Sequence, residues 1–209
     1  MAVGGILLTG FEPFGGDGIN PSLEVARALD GMRIEDTLVQ AECLPCVFDE
    51  AGRRLESLLI ERRPALVLCL GLAGGRAAVT VERVAINVDD ARIPDNAGRK
   101  PEDAPIVPDG PAAYFSTLPV KAIVQALRGV GIPAAVSDSA GTFVCNHVFY
   151  ALMNHLSRFL PESHGGFIHL PYLPEQVTDR PETPSMALTM QADAIRLALG
   201  VAWRTGGKG

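Results

Sequence analysis

Cys145 is the residue whose place in the sequence best fits nucleophilic chemistry. It follows the polar turn Ser-Ala-Gly-Thr over 139–142 and lies in the first turn of a helix predicted over 142–159, which Thr142 would cap. There the helix dipole and free backbone N–H groups would lower the thiol pKa and hold an oxyanion. An isolated cysteine at a helix end is also commonly a small buried hydrophobic residue, so position alone leaves both interpretations open.

A thiol nucleophile needs an imidazole base within reach. His147 lies two residues after Cys145 and projects about 200° away from it on a helix, and His155 is almost three turns along. His164 is predicted in a polar loop. His169 lies near the C-terminal end of a predicted strand, the edge where open α/β sheets place their sites. It could equally be a core histidine bonded to a backbone carbonyl.

The imidazole also needs a partner that orients it. Glu82 is a candidate on the alternating segment 79–88, which is predicted as one strand. A glutamate beside an arginine on such a strand is usually half of a solvated ion pair. Asp89, Asp90 and Asp95 compete for the same role, so the spacing leaves the carboxylate undecided.

Other motifs suggest different chemistry. The glycines around Gly16 resemble the start of a dinucleotide loop, but Pro21 stands where the third glycine belongs, and no Gly-Lys-Ser/Thr motif is present. Cys43 and Cys46 lie between a predicted strand and helix, as in thioredoxin redox sites, so a thiol-disulfide oxidoreductase is the alternative enzyme. Cys69 is alone in a buried strand without the close ligands of a zinc site. A non-catalytic scaffold of the same fold is the remaining alternative.

The elements that must position these residues alternate between strand and helix. Strands are predicted over 4–11, 37–44, 65–70, 79–88, 134–137 and 166–170, and helices over 23–29, 48–63, 111–130, 142–159 and 185–203. This order predicts one domain, residues 1–209, with a three-layer α/β/α sandwich around a mixed, largely parallel twisted sheet. The segment 89–111, rich in Pro, Asp, Asn and Gly, is predicted as a long functional loop.

Composition limits the partners and the compartment. A net charge of -6 without a basic stripe argues against nucleic acid, and the apolar runs are too short to span a membrane. The N-terminus lacks the pattern of a secretory signal, and four cysteines are too few for a disulfide framework in 209 residues. We therefore expect a cytoplasmic protein with reduced thiols.

Several segments together resemble one family. They are Gly-Phe-Glu-Pro-Phe-Gly-Gly over 10–16, Gly-Leu-Ala-Gly-Gly-Arg-Ala-Ala-Val-Thr-Val-Glu-Arg-Val-Ala-Ile-Asn over 71–87, Asp-Ala-Arg-Ile-Pro-Asp-Asn over 90–96, Ser-Ala-Gly-Thr-Phe-Val-Cys-Asn over 139–146 and Phe-Ile-His-Leu-Pro over 167–171. In this order they resemble pyroglutamyl peptidase type I, also called pyrrolidone carboxyl peptidase, over nearly the whole chain.

The resemblance implies a cysteine peptidase that removes an N-terminal pyroglutamyl residue from peptides through a thioester, without a cofactor or metal. The triad it implies is Glu82, Cys145 and His169. It also implies a homotetramer. The expected substrate-binding residues, which would wall or shape a pocket for the neutral lactam, are Phe11, Phe14, Asn20, Ile93, Phe143 and Val144. Asn20 would either contact the lactam or fix the loop around it.

Overall fold

The computed structural model describes residues 4–206, in which strands and helices alternate. The strands are β1 (Ile6–Phe11), β2 (Arg33–Ile34), β3 (Thr37–Leu44), β4 (Leu66–Leu72), β5 (Val79–Glu82), β6 (Val84–Ile86), β7 (Ala113–Phe115), β8 (Ala134–Ser137) and β9 (His164–Leu170). The α-helices are α1 (Pro21–Leu29), α2 (Glu50–Arg62), α3 (Val120–Gly129), α4 (Val144–Phe159) and α5 (Leu188–Gly206), with a 3-10 turn at Pro174–Gln176.

Seven of these strands form one sheet in the order β2-β3-β1-β4-β9-β5-β8. The strands β3, β1, β4 and β9 are parallel, β5 is antiparallel to β9 and parallel to β8, and β2 is antiparallel to β3. β6 and β7 form a separate antiparallel pair. The prediction of a mixed, largely parallel sheet is confirmed.

The central strands are covered by helices on both faces because their side chains alternate between two cores. In β4, Leu66 and Leu68 belong to one core together with residues of α1, α3 and α5, whereas Val67 and Cys69 belong to the other, with residues of α2 and α4. This continuous apolar run is what the sequence of a fully buried parallel strand requires. The three-layer arrangement follows from it.

The start of α1 lies directly on the end of β1. Asn20 caps the helix by accepting the backbone N–H of Ser22, and Pro21 occupies the first helical turn. The Ser22 hydroxyl also accepts the N–H of Phe11 at 2.9 Å. A β-carbon on Gly10 would lie 2.3 Å from the carbonyl oxygen of Ser22, so only glycine permits this contact.

The segment 79–88 is not one strand, which corrects the prediction. The chain leaves the large sheet after Glu82 and enters the small one at Val84. Between them Arg83 donates its N–H to Ser137 and accepts the N–H of Ser116 at its carbonyl. Alternation continues across the change of sheet, so the pattern alone could not reveal it.

The helix predicted over 111–130 is also shorter than expected. Residues Ala113–Phe115 form β7 against β6, and the helix begins only at Val120, after Pro119. Proline fixes its own φ angle and disfavours the helical conformation in the residue before it. A helix therefore does not extend from residue 111 through Pro119. His164, predicted in a loop, is instead the first residue of β9 and donates its N–H to the carbonyl of Ala65.

The segment 89–111 contains no helix or strand of its own, as predicted, but it is well anchored. The Asp95 carboxylate accepts three backbone N–H groups, from Phe48 at 2.9 Å, Ala97 at 2.9 Å and Arg99 at 2.8 Å. Asn96 donates to the Glu12 carboxylate at 2.8 Å. Such bonds hold an irregular segment in one conformation over the N-terminal side of α2.

None of the helices within 4–206 has the length and apolarity needed to cross a bilayer.

Candidate active site

Cys145 is the second residue of α4, as the helix prediction required, but the cap is different. Phe143 is the N-cap and offers no side-chain hydrogen bond. The hydroxyl of Thr142, the predicted cap, instead donates to the Asp90 carbonyl at 2.7 Å, which ties the helix start to the long loop. The backbone N–H groups of the first turn are therefore not taken by a capping side chain, and they can bind an anion beside the thiol.

Gly71 in β4 provides the space that the thiol occupies. A β-carbon built on Gly71 would lie 2.8 Å from Cys145 Sγ and 2.8 Å from Cζ of Phe167, closer than real β-carbons approach their neighbours. Gly71 is also the register partner of His169 in the adjacent parallel strand β9. The sulfur thus lies over the strand position next to His169, although the two residues are distant in sequence.

His169 and Glu82 form a buried pair. His169 Nδ1 is 2.8 Å from Glu82 Oε1, and both side chains are almost completely excluded from solvent. The antiparallel register sets Thr80 opposite His169, so Glu82, two residues further along β5, faces the same side of the sheet. With Nδ1 engaged by the carboxylate, Nε2 is the nitrogen left for proton transfer.

Arg76 completes this cluster, and the sequence analysis did not single it out. Its Nη1 donates to Glu82 Oε1 at 2.9 Å and to Thr80 Oγ1 at 2.6 Å. The signal that could have found it is general: a fully buried carboxylate requires a cation or several donors, and Arg76 is only six residues before Glu82.

Asn146 is a second positioning residue that the sequence analysis missed. Its Oδ1 accepts the N–H of Ile86 at 3.1 Å, and its Nδ2 donates to the carbonyls of Ile86 at 2.9 Å and Val88 at 3.0 Å. Because Asn146 directly follows Cys145, these bonds clamp the start of α4 onto β6. The position of the thiol relative to the sheet depends on this clamp.

The competing histidines have other partners. His147 Nδ1 is 2.8 Å from Asp89 Oδ2, and its Nε2 lies close to Gly52 of α2. His155 Nδ1 is 3.5 Å from Glu56, and burial lowers the pKa of His155. Both histidines line a cavity of about 350 Å³ between α2 and α4 that includes none of the predicted triad.

The other candidate carboxylates are also accounted for. Asp89 is bonded to His147, and Asp95 anchors the loop through backbone N–H groups. Asp90 is exposed and uses its backbone to pair with Thr142. Of the four candidate carboxylates, Glu82 is therefore the one that the structure places beside His169.

The expected pocket residues fall into two groups. Phe14 and Phe143 are partly exposed with ring centroids 5.9 Å apart, and Ile93 is also partly exposed in the loop. The other three are buried. Phe11 packs on Phe167 at 6.4 Å, Val144 lies in the core, and Asn20 caps α1 and donates to the carbonyl of Glu12. Asn20 thus fixes the loop after β1, and the pocket assignments stay predictions.

Comparison with known proteins places this site in a family. A family model described as pyroglutamyl peptidase matches residues 5–205. Pyrrolidone-carboxylate peptidases of Yersinia pestis (strain Pestoides F) and Yersinia pseudotuberculosis serotype O:1b (strain IP 31758) are each 54% identical over 197 residues, 94% of this chain and 92% of theirs. The chain belongs to the pyroglutamyl peptidase family.

Solved structures of the family have the same fold. Pyroglutamyl peptidase I of Bacillus amyloliquefaciens is 46% identical, with a TM-score of 0.92 over 95% of this chain and 96% of its own. A variant of pyrrolidone carboxyl peptidase from the hyperthermophile Pyrococcus furiosus is 46% identical, with a TM-score of 0.93 over 96% and 98%. The family resemblance and the fold class inferred from the sequence are confirmed, and the chain is an enzyme of a cysteine-type hydrolase family.

The oxidoreductase alternative is not supported. Cys43 is exposed and Cys46 is buried, and both are free thiols. Burial, reinforced by the nearby Glu12 carboxylate, raises the pKa of Cys46 to about 12, whereas redox cysteines have lowered values. The helix α2 begins at Glu50, so its dipole does not act directly on Cys46. The family match likewise gives no support to the non-catalytic scaffold.

The state of the Cys145 thiol corrects the sequence prediction. Burial raises the pKa of Cys145 well above its ordinary value, and the nearby Cys46 and Glu82 raise it further, while Arg76 lowers it. Loss of hydration is the largest of these effects, and it raises the pKa despite the position of Cys145 at a helix N-terminus. A thiol with a raised pKa requires a general base before it can act as a nucleophile. Within 4–206 no cluster of three or more His, Cys, Asp or Glu side chains forms a metal site.

Proposed function

We propose that this chain hydrolyses the N-terminal pyroglutamyl residue from peptides, with Cys145 as nucleophile, His169 as general base and Glu82 as the orienting carboxylate. The observation that carries the proposal is the buried 2.8 Å contact of His169 with Glu82, one strand from the position over which the Cys145 sulfur lies. Family membership supports the substrate class.

In the first step, His169 Nε2 takes the proton of the Cys145 thiol, and the sulfur attacks the pyroglutamyl carbonyl carbon. The carbonyl oxygen becomes an oxyanion, which backbone N–H groups at the start of α4 stabilise. Glu82 stabilises the imidazolium that forms. Because burial raises the pKa of the Cys145 thiol, proton transfer to His169 accompanies the attack.

In the second step, the carbon–nitrogen bond breaks, and protonated His169 gives its proton to the departing peptide amine. This leaves pyroglutamate bound to Cys145 as a thioester. His169 then takes a proton from water, whose oxygen attacks the thioester carbonyl, and the released thiolate recovers that proton. In these steps every proton is transferred between a side chain, the substrate and water, and no cofactor takes part.

The lactam pocket is proposed beside the aromatic residues near Cys145. Phe14, Phe143 and Ile93 provide a partly exposed apolar wall, as a neutral lactam requires. Phe11, Asn20 and Val144 shape this wall from behind, since each is buried.

We further propose a single peptidase domain over residues 1–209, acting in the cytoplasm as a homotetramer on peptides with N-terminal pyroglutamate, without a nucleic-acid or membrane partner. The family resemblance supports the tetramer, and the exposed Ile60, Phe115 and Phe159 offer apolar surface for subunit contacts. Size-exclusion chromatography with light scattering tests the assembly; a monomer at micromolar concentration contradicts it.

The activity is tested by release of a fluorophore from pyroglutamyl-aminomethylcoumarin, with glutaminyl-aminomethylcoumarin as the comparator that carries a charged N-terminus. Cys145→Ser is expected to lower kcat at least about a thousandfold with the fold intact. Cys43→Ser, the same change at an exposed cysteine, is the matched control and should be fully active. Near-normal activity of Cys145→Ser refutes the nucleophile assignment.

A further inference from the structure

We infer that Arg76 is a positioning residue that keeps Glu82 ionised and aimed at His169. This inference rests on the proposed function, since it assigns Glu82 and His169 their roles in the triad. The side-chain hydrogen bonds of Arg76 within residues 4–206 are to Thr80, Glu82 and Ser137 and not to Cys145, which is why its role is assigned through Glu82.

The central observation is that one carboxylate oxygen serves two partners. Glu82 Oε1 is 2.9 Å from Arg76 Nη1 and 2.8 Å from His169 Nδ1. Bonds to a guanidinium and to an imidazole on the same oxygen define the rotation of the carboxylate. Rotating Glu82 away from His169 would break the contact with Arg76 as well.

Burial makes the cation necessary. Glu82 has a side-chain exposure of 0%, and among residues 4–206 its Oε2 has no hydrogen-bond partner. Burial disfavours the charged form of a carboxylate, and a positive charge within hydrogen-bond distance favours it. Within the described part of the chain, the ion pairs of Glu82 are with Arg76 and His169, and only the arginine is permanently charged.

The guanidinium is itself held in place. Nη1 of Arg76 donates to Thr80 Oγ1 at 2.6 Å and lies 3.4 Å from Ser137 Oγ, so it bridges β5 and its neighbour β8. The backbone N–H of Arg76 donates to the carbonyl of Ala73 in the turn after β4. The side chain is 35% exposed, which leaves part of the charge in contact with solvent and limits the desolvation penalty.

The consequence for the reaction concerns protons. During attack, the thiol proton moves to His169, and an ionised Glu82 is needed to stabilise that imidazolium. In the unmodified enzyme, the positive charge of Arg76 opposes the addition of a proton to the pair formed by Glu82 and His169. Without Arg76 this opposition is lost, so the pair takes up one proton at a higher pH. A pair that already holds this proton cannot accept the one from Cys145.

The test is the pH dependence of kcat/KM for Arg76→Met with pyroglutamyl-aminomethylcoumarin. The acidic limb should move to higher pH by about one unit or more, since a cation within hydrogen-bond distance shifts titration by roughly that amount. At neutral pH kcat should fall about tenfold or more, while KM changes by less than about threefold. Arg76→Lys keeps the charge and should return the acidic limb most of the way to that of the unmodified enzyme.

Arg83→Met is the matched control. It removes the same charge one residue after Glu82, where Arg83 pairs with the exposed Asp138 at 3.2 Å, and it should leave the acidic limb unchanged. Circular dichroism and thermal unfolding check that each variant folds. If Arg76→Met does not fold, the test rests on Arg76→Lys. An acidic limb of kcat/KM within about 0.3 pH units of the unmodified enzyme supports the role of the charge. An acidic limb shifted as far as is expected for the methionine variant overturns it.

Failure of this inference is separable from failure of the proposed function. An unshifted pH profile in folded Arg76→Met, with Cys145→Ser inactive, overturns the role of Arg76 and leaves the triad standing. A rise in KM alone also overturns it, because that result assigns Arg76 to binding or structure. An active Cys145→Ser refutes the triad itself, and the role of Arg76 falls with it.

Discussion

The sulfur of Cys145 occupies the space that a side chain on Gly71 would fill, with the missing β-carbon only 2.8 Å from Sγ. This contact joins the helix that carries Cys145 to the strand beside His169. The Phe167 ring is also 2.8 Å from that point, so a side chain on residue 71 would require both Cys145 and Phe167 to shift.

Gly71→Ala is therefore expected to displace the thiol and to lower kcat/KM about a hundredfold, the effect of moving a reacting atom by about 1 Å. Steady-state kinetics on pyroglutamyl-aminomethylcoumarin measures it. Gly129→Ala at the end of α3 is the control, because a β-carbon there meets nothing within 4 Å. Full activity of Gly71→Ala would show that the sulfur has another place to go.

The two buried histidine–carboxylate pairs should respond differently to mutation. His147→Ala leaves the buried Asp89 without its partner and should lower the free energy of unfolding by about 3 kcal/mol, with kcat in the folded enzyme changed less than about threefold. His169→Ala should abolish turnover. Urea unfolding and kinetics on both variants test this; a thousandfold loss of kcat in folded His147→Ala would contradict the separation of the pairs.

Stability should decrease in alkaline solution because of buried thiols. Burial raises the pKa values of Cys46 and Cys69 from 9.0 to about 12, and raises that of Cys145 as well. Above pH 9 the unfolded chain loses these protons and the folded chain retains them, so ΔG of unfolding falls by about 1.4 kcal/mol per pH unit for each thiol. The loss ends where the folded thiols ionise, near pH 12 for Cys46 and Cys69.

Urea unfolding between pH 8.5 and about 10.5 measures this slope. Cys69→Ala should reduce the slope by the share of one thiol, whatever its effect on stability at neutral pH. Cys43→Ser, at an exposed site, should change the slope less than Cys69→Ala does. An equal slope in all three proteins would disprove the contribution of Cys69.

The conformation of the loop over 89–111 should depend on Asp95. Asp95→Ala removes the acceptor of three backbone N–H groups, and we expect a loss of about 2–3 kcal/mol in the free energy of unfolding. Since the same loop carries Ile93, KM should rise more than kcat falls. Thermal unfolding and kinetics test this, with Glu102→Ala, exposed in the same loop, as control. An unchanged KM would remove the loop from substrate binding.

The elements that the sequence predicts well are those with local signals. The apolar run over 65–70 predicts a buried strand from its own residues, and this strand is present as β4. The predicted secondary structure is wrong where pairing with a strand that is distant in the sequence decides the conformation. The segment 113–115 became a strand because β6 was there to pair with it, and 79–88 was divided because its halves pair with different strands. Propensity contains no information about a distant partner.

The sequence by itself determined the family, the order of the elements and the position of Cys145 at a helix N-terminus. Only the tertiary structure decided which carboxylate reaches His169, because the antiparallel register of β5 and β9 places Glu82 there and leaves Asp89 to His147. It also decided the direction in which the pKa of Cys145 is shifted. Helix position acts locally and favours a thiolate, whereas burial by segments that are distant in the sequence raises the pKa of this thiol.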